Sequence, residues 1–438
     1  MTNKKHSKRN VYSISEQYLC NSCGACASVC PVNAIEFHET IGGYIFPSIN
    51  LEVCNGCSLC LEVCPGIHFG DTLIKNMPDV PFKGSIKHCF IGKALDNKVY
   101  TNAQSGGVVT AILLYALEIG YIQAAIVTVM KPGDPPRPEV MIAKSKEDII
   151  SAQKSKYSPV PILTSLSKIE KQNLDVGIVG TPCQIHGLYN YLDVRPHLKD
   201  NIKLKIGLIC DRTMTNIAID YLINISEFKD GKKHLYFRDK NAGGYPGSVH
   251  VKMGEKEIIK PPSERTKIKD FFTPARCRLC FDKMNVFSDI TIGDPWGISK
   301  ANHKNGESVV IIRTDQGKSV SNKIGNKVIK LSSVSYENVI KGQHIEKRRK
   351  NWIYYCNAWK NLGYNLPNYY KIIESKSPSK NISKKNYKDQ LLHSLSLDNF
   401  DTKNKIFQRV RKLIKYRKLI NRILWPYRFL KKIGDIIK

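Results

Sequence analysis

The stretch VGIVGTPCQIHGL, Val176 to Leu188, changes character at its midpoint. Val176 to Gly180 is a short apolar run bounded by glycine, the pattern of a buried strand. Thr181 then stands where a helix N-cap belongs, and Pro182 sits at the first turn, where its missing N–H costs nothing. A buried strand turning directly into a helix is the joint of an α/β fold. Around it, AAIVTVM, IKLKIGLIC, SVHVKM, DITIGD and SVVIIRT are further strand candidates, and helices are expected after Gly107 and after Thr213. The alternation predicts an α/β domain over residues 85–370.

A chain of 438 residues has room for two or three domains. Its start, MTNKKHSKRN, is charged and runs into polar sequence, so the protein is expected to be cytoplasmic and not exported. In a reducing compartment, 14 cysteines read as metal ligands or catalytic thiols instead of disulfides. Val108 to Met130 is apolar enough to suggest a membrane span, but Glu118, Gly120 and Gln123 interrupt it, which predicts helix, glycine stop, then buried strand. The net charge of +30 suits anionic cofactors, an acidic partner or a membrane surface. No nucleic-acid recognition motif is present, so nucleic acid is not an expected partner.

Shifting the chain against itself by 34 residues aligns Cys20, Cys23, Cys26 and Cys30 with Cys54, Cys57, Cys60 and Cys64. Each run is C-x-x-C-x-x-C-x-x-x-C-P, closed by Pro31 or Pro65, the bacterial ferredoxin pattern for two [4Fe-4S] clusters. Three thiolates come from one tight loop and the fourth from the other run. The expected sets are therefore Cys20, Cys23, Cys26 and Cys64, and Cys54, Cys57, Cys60 and Cys30. Gly24 and Gly56 fit the tight loops, and AIEF and YIFPSI read as the short strands of an α+β ferredoxin-type domain over residues 1–80. Zinc sites would instead pair C-x-x-C knuckles.

Four more cysteines lie at strand ends or in loops: Cys183, Cys210, and the pair Cys277 and Cys280 of RCRLCFDKMNVFSDITIGDPWG. Four thiolates suit one further [4Fe-4S] cluster or an all-cysteine zinc site, and spacing leaves both open. Cys89 and Cys356 have no partner pattern and read as ordinary buried thiols. Ser105, Gly106 and Gly107 precede a helix, where free N–H groups and the helix dipole favour phosphate.

Together these residues resemble the family of coenzyme F420 hydrogenase/dehydrogenase β-subunit proteins, in the form with an N-terminal two-cluster ferredoxin domain. The matching pieces are QSGGVVTAILLYALEIG, SKYSPV, GTPCQIHGL, IGLIC, GYPGSVHV and the Arg276 to Gly297 stretch, in the family's order. The resemblance implies an iron-sulfur flavoprotein oxidoreductase with FAD in the α/β domain. It also implies a third [4Fe-4S] cluster on Cys183, Cys210, Cys277 and Cys280. Ser105, Gly106, Gly107, Lys156, Tyr157, Thr181 and Asp294 then border the flavin, Asp294 as a cofactor contact or a turn cap. Clusters pass single electrons and a flavin handles one or two, so the set implies a converter between the two regimes. Ferredoxin or a redox partner subunit would exchange electrons with the clusters, and F420 or another small molecule would be the acceptor. A second reading is an electron-transfer subunit that feeds a partner enzyme in membrane-associated polysaccharide or lipid-linked metabolism. No proton donor stands out; His186 and His250 read as structural.

From residue 375 the chain is polar and expected to be flexible, and residues 401–438 carry thirteen Lys or Arg against Asp401 and Asp435. Ile406, Val410, Leu413, Ile414 and Ile420 fall on one side of an amphipathic helix, with Arg411, Lys412, Lys415, Lys418 and Arg422 on another. Such a helix would lie on the inner face of a membrane as a peripheral contact, dock on a partner, or pack on its own domain, and Pro426 is expected to break or kink it.

Overall fold

The computed structural model describes residues 10–69, 81–325, 327–375 and 385–437. In chain order the strands are β1 (Ile35–Glu39), β2 (Ile45–Ile49), β3 (His88–Ala94), β4 (Ala124–Lys131), β5 (Arg137–Ala143), β6 (Val176–Gly180) and β7 (Ile202–Leu208). They continue as β8 (His234–Asp239), β9 (Ser248–Met253), β10 (Lys256–Lys260), β11 (Ile290–Gly293), β12 (Ser308–Ile312) and β13 (Ile329–Ser333). An eight-stranded sheet runs β13-β3-β12-β11-β7-β6-β4-β5. Its centre, β4, β6, β7 and β11, is parallel, and antiparallel strands complete both sides.

Parallel strands are covered on both faces, so they read as continuous apolar runs. Here the Pro182–Val194 helix packs Ile185 and Leu188 on the face of Ala124, Ile126 and Ile178. The Val108–Glu118 helix packs Ala111 and Ile112 on the opposite face, with Ala125, Val127 and Ile206. That helix ends before Gly120, in left-handed backbone, and β4 follows, as the interrupted apolar stretch predicts. Among the described residues no helix is long and apolar enough to cross a membrane.

The β1-β2 hairpin and the cysteine loops belong to a small N-terminal unit that shares one core with the body. Val11, Leu19, Ala25, Val29 and Val63 pack with Val160, Ile162, Leu163 and Leu188.

SVHVKM forms β9, but in a separate antiparallel sheet, β10-β9-β8, and not in the main one. The stretch expected to be flexible after residue 375 is partly ordered. The Lys385–Leu395 helix starts inside it and buries Leu391 and Leu395, while residues 376–384 lie outside the described residues. Pro426 does not break the terminal helix, which runs Lys403–Ile437. Ile406, Phe407 and Val410 are buried in the cluster of Ile217, Tyr221 and Phe271. Lys403 and Arg417 reach Asp220 and Asp270, so the first turns of the basic helix pack on their own domain.

Candidate iron-sulfur and cofactor site

The carboxyl ends of β6, β7 and β11 lie side by side, where open α/β sheets place ligands. Asn285 ties two of them together: its amide donates to the carbonyls of Gly180 at 2.9 Å and Leu208 at 3.2 Å. It lies over Gly207, where a Cβ would come within 2.4 Å of the Asn285 carboxamide carbon. β6 therefore delivers Cys183 and β7 delivers Cys210 to one place. Thr181 is the extended N-cap of the Cys183 helix; its N–H donates to Gln184 Oε1 at 2.8 Å, and its hydroxyl lies 3.3 Å from Cys183 Sγ. The Cys210 N–H donates to the Lys283 carbonyl at 2.9 Å, which fastens that loop to the segment just after Cys280.

These four thiols act on one another. Burial pushes Cys183 up to about 12, and the next upward influences beyond it are Cys280 and Cys277. Cys210 is raised by burial, then by Cys277, Cys183 and Cys280. In the N-terminal unit burial raises Cys20 to about 12, followed by Cys64. Cys26 feels Cys23, Cys20, Cys64 and Cys60, and Cys60 feels Cys57, Cys30 and Cys54. Thiols of the two runs therefore act on one another, Cys64 on Cys20, Cys23 and Cys26, and Cys30 on Cys60. Backbone N–H groups point at the sulfurs: Ser22 at Cys20 and Ala34 at Cys30, both 3.3 Å, and Thr213 at Cys277. Such donors stabilise negative charge on sulfur and suit ligated thiolates.

The groups are also close in series. Cys20 and Cys23 both feel Cys183. A Cβ on Gly187, one turn beyond Cys183, would lie 3.0 Å from Cys23 Sγ, so a larger residue there would crowd the two loops. The Leu163 N–H donates to the Cys23 carbonyl at 2.9 Å.

A cavity of about 520 Å³ opens along the strand ends and reaches from Cys20 past Cys183, Cys210, Cys277 and Cys280 to the Val108–Glu118 helix. Ser105, Gly107, Lys156, Tyr157, Thr181 and Asp294 line it. Gly106 is turned into the sheet: its N–H donates to Ser308 Oγ at 3.1 Å and its carbonyl accepts from Ala94 at 2.7 Å. Lys156 donates to the carbonyls of Ala152 and Gln153 at 2.6 and 2.8 Å, and burial, then Lys154, lowers its ammonium to about 7. Among the described residues Asp294 caps no turn; it receives Arg238 through Nη1 at 2.6 Å and Nη2 at 3.2 Å, and the same guanidinium donates to the Tyr157 hydroxyl at 3.1 Å.

Sequence reasoning missed Arg238, because no local motif marks it and β8 was not among the predicted strands. It also missed Arg276, 5 % exposed, which donates to the Tyr369 hydroxyl, while its Nε and Nη1 are buried with no partner among the described residues. The charge of Arg276 acts on Cys64 and on Cys183. His186 is 3.0 Å from Asp282 and stacks on Phe69, and His250 lies between Asp239 and Glu257. Cys89 and Cys356 are buried in β3 and the Ile345–Lys360 helix.

A ferredoxin-type cysteine repeat set against a mixed sheet with thiols at its strand ends defines an iron-sulfur electron-transfer protein. The chain belongs to the coenzyme F420 hydrogenase/dehydrogenase family of beta subunits: the family's N-terminal model matches residues 89–167 and its C-terminal model residues 174–337. A 4Fe-4S dicluster domain matches residues 19–66. An uncharacterized protein of Methanocaldococcus jannaschii is 30% identical over 72% of this chain and 89% of its own length. The coenzyme F420-dependent sulfite reductase of that organism is 27% identical over 79% of this chain, which spans 53% of the reductase. An F(420)H(2) dehydrogenase subunit of Methanosarcina mazei is 26% identical over 78% of this chain and 92% of its own length.

Proposed function

We propose that the chain is an iron-sulfur flavoprotein oxidoreductase. Its two N-terminal clusters and a third on Cys183, Cys210, Cys277 and Cys280 exchange electrons with FAD in the large cavity, and F420 or another small acceptor meets the flavin there. The observation that carries this reading is the cavity wall, where these four thiols stand beside Cys20 of the ferredoxin-type unit and opposite a helix N-terminus. A bound flavin trades electrons singly with clusters and in pairs with an organic acceptor.

The chain's own residues do the positioning. Gly107, in left-handed backbone, turns the start of the Val108–Glu118 helix toward the cavity, where its free amides suit a phosphate. Ser105 borders the same end. Lys156 and Tyr157 supply donors along one wall; Asp294 acts through Arg238, holding its guanidinium against Tyr157. Relatives named as a hydrogenase beta subunit and a dehydrogenase subunit support a donor that is a partner subunit or ferredoxin. They equally favour the second reading, a subunit that feeds a partner enzyme and has no substrate of its own.

Anaerobic purification with iron, zinc and flavin assays tests the proposal: about twelve irons and one flavin per chain are expected. About eight irons would remove the third cluster, and zinc in place of iron would end the redox reading. Turnover with reduced F420 separates the enzyme from the subunit reading.

A further inference from the structure

Behind the Cys277–Cys280 turn, against the Ile345–Lys360 helix, lies a second cavity of about 260 Å³. It shares Arg212, Cys277, Cys280, Lys283 and Arg348 with the large cavity, and its remaining wall carries Arg278 and Lys347. Asp211, the one carboxylate among the described residues of its lining, is committed to Lys269 and Arg348. Arg212 reaches Asp270 only at 3.4 Å, and that acid is shared with Arg417.

Arg278 is 3 % exposed, yet its bonds are to uncharged groups: the Tyr355 hydroxyl at 3.0 Å, and the Gln390 side-chain oxygen and the Asp270 carbonyl, each at 2.8 Å. Its Nε is buried with no partner among the described residues. The acid that acts on it, Asp270, also serves Arg212 and Arg417, and a buried guanidinium so thinly compensated, oriented by neutral acceptors in a cationic cavity, favours an anion. The cations acting on Cys183, Cys210 and Cys277 are Arg276 and Arg348, so thiolate charge there does not account for Arg278 and Arg212.

We propose that this cavity is an anion site, taking one small free oxyanion of the phosphate or sulfate class, held by Arg278, Arg212 and Lys347 against the back of Cys277 and Cys280. Its size is below the range of about 300–1,000 Å³ that suits larger organic ligands, which favours a small anion over a nucleotide. Anion capture here needs neither flavin nor the third cluster. Where that cluster forms, a bound anion makes it harder to reduce, and reduction weakens anion binding by the same factor.

Equilibrium dialysis of the anaerobic full-length protein against labelled inorganic phosphate and, separately, sulfate is the test. One saturable anion per chain is expected, with affinity falling about tenfold in Lys347→Ala and in Arg212→Gln, each of which removes one charged contact. Lys347 is exposed, so Lys347→Ala keeps the fold and remains informative if a substitution at the buried Arg278 does not. Absence of saturable uptake of either anion, or uptake undiminished in both variants, would overturn the assignment.

Discussion

At the scale of single residues the thiols and the buried cations divide the work. Under the proposed three-cluster reading, Cys183→Ser should lower iron from about twelve to about eight per chain while leaving the N-terminal signals intact, as read by iron analysis and electron paramagnetic resonance. Arg276 stands where its charge acts on Cys64 and Cys183, members of two different thiol groups. Arg276→Gln should therefore shift the midpoint potentials of both associated clusters downward, and Arg276→Lys should restore most of the shift; a redox titration in which neither moves would exclude this role. Lys156 gives a pH prediction. Its folded value of about 7 lies below an unfolded value of about 10.4, so between these limits the unfolded chain holds more protons and stability rises with pH. Denaturant unfolding of Lys156→Met should lack that rise, whereas an unchanged slope would mean that the ammonium is not desolvated. The ferredoxin-type repeat was legible in the sequence because its spacing lies within single loops, whereas spacing left the role of Cys183, Cys210, Cys277 and Cys280 open. Arg238, Arg276 and Arg278 were not legible, because each gains its role from residues distant along the chain.

At the scale of elements, β4, β6, β7, β11 and β12 were legible because strands covered on both faces are written as apolar runs. The flanking strands were not. RPEVMIA forms edge strand β5, where Pro138 and Glu139 are tolerated because the outer side needs no ladder bonds. HLYFRD forms β8 and brings Arg238 against Asp294, at the end of β11. Truncating Arg238 to Ala leaves Asp294 nearly buried and unpaired, an expected cost of about 3–5 kcal/mol. Flavin retention should fall with it if the cavity holds FAD, and chemical unfolding with flavin release on gel filtration reads both.

At the scale of the whole molecule, the tail is bound into the fold. Ending the chain at residue 400 strips Ile406, Phe407 and Val410 from a buried cluster, at about 1.5–3 kcal/mol each. The truncated protein should lose stability even where no membrane is present; a liposome pelleting assay on the same variant separates that loss from any surface binding, and unchanged unfolding would mean that the helix does not dock.

The sequence by itself determined the cysteine repeat, the expected thiol sets and the strand-to-helix joint at Gly180, because each depends on neighbours within a few residues. Only the tertiary structure decided which cations face the thiols, that the N-terminal unit and the body share one core, and that the basic helix begins by covering an apolar surface. Those outcomes depend on which distant surfaces meet, and desolvation, which sets the strength of every buried charge, exists only after they have met.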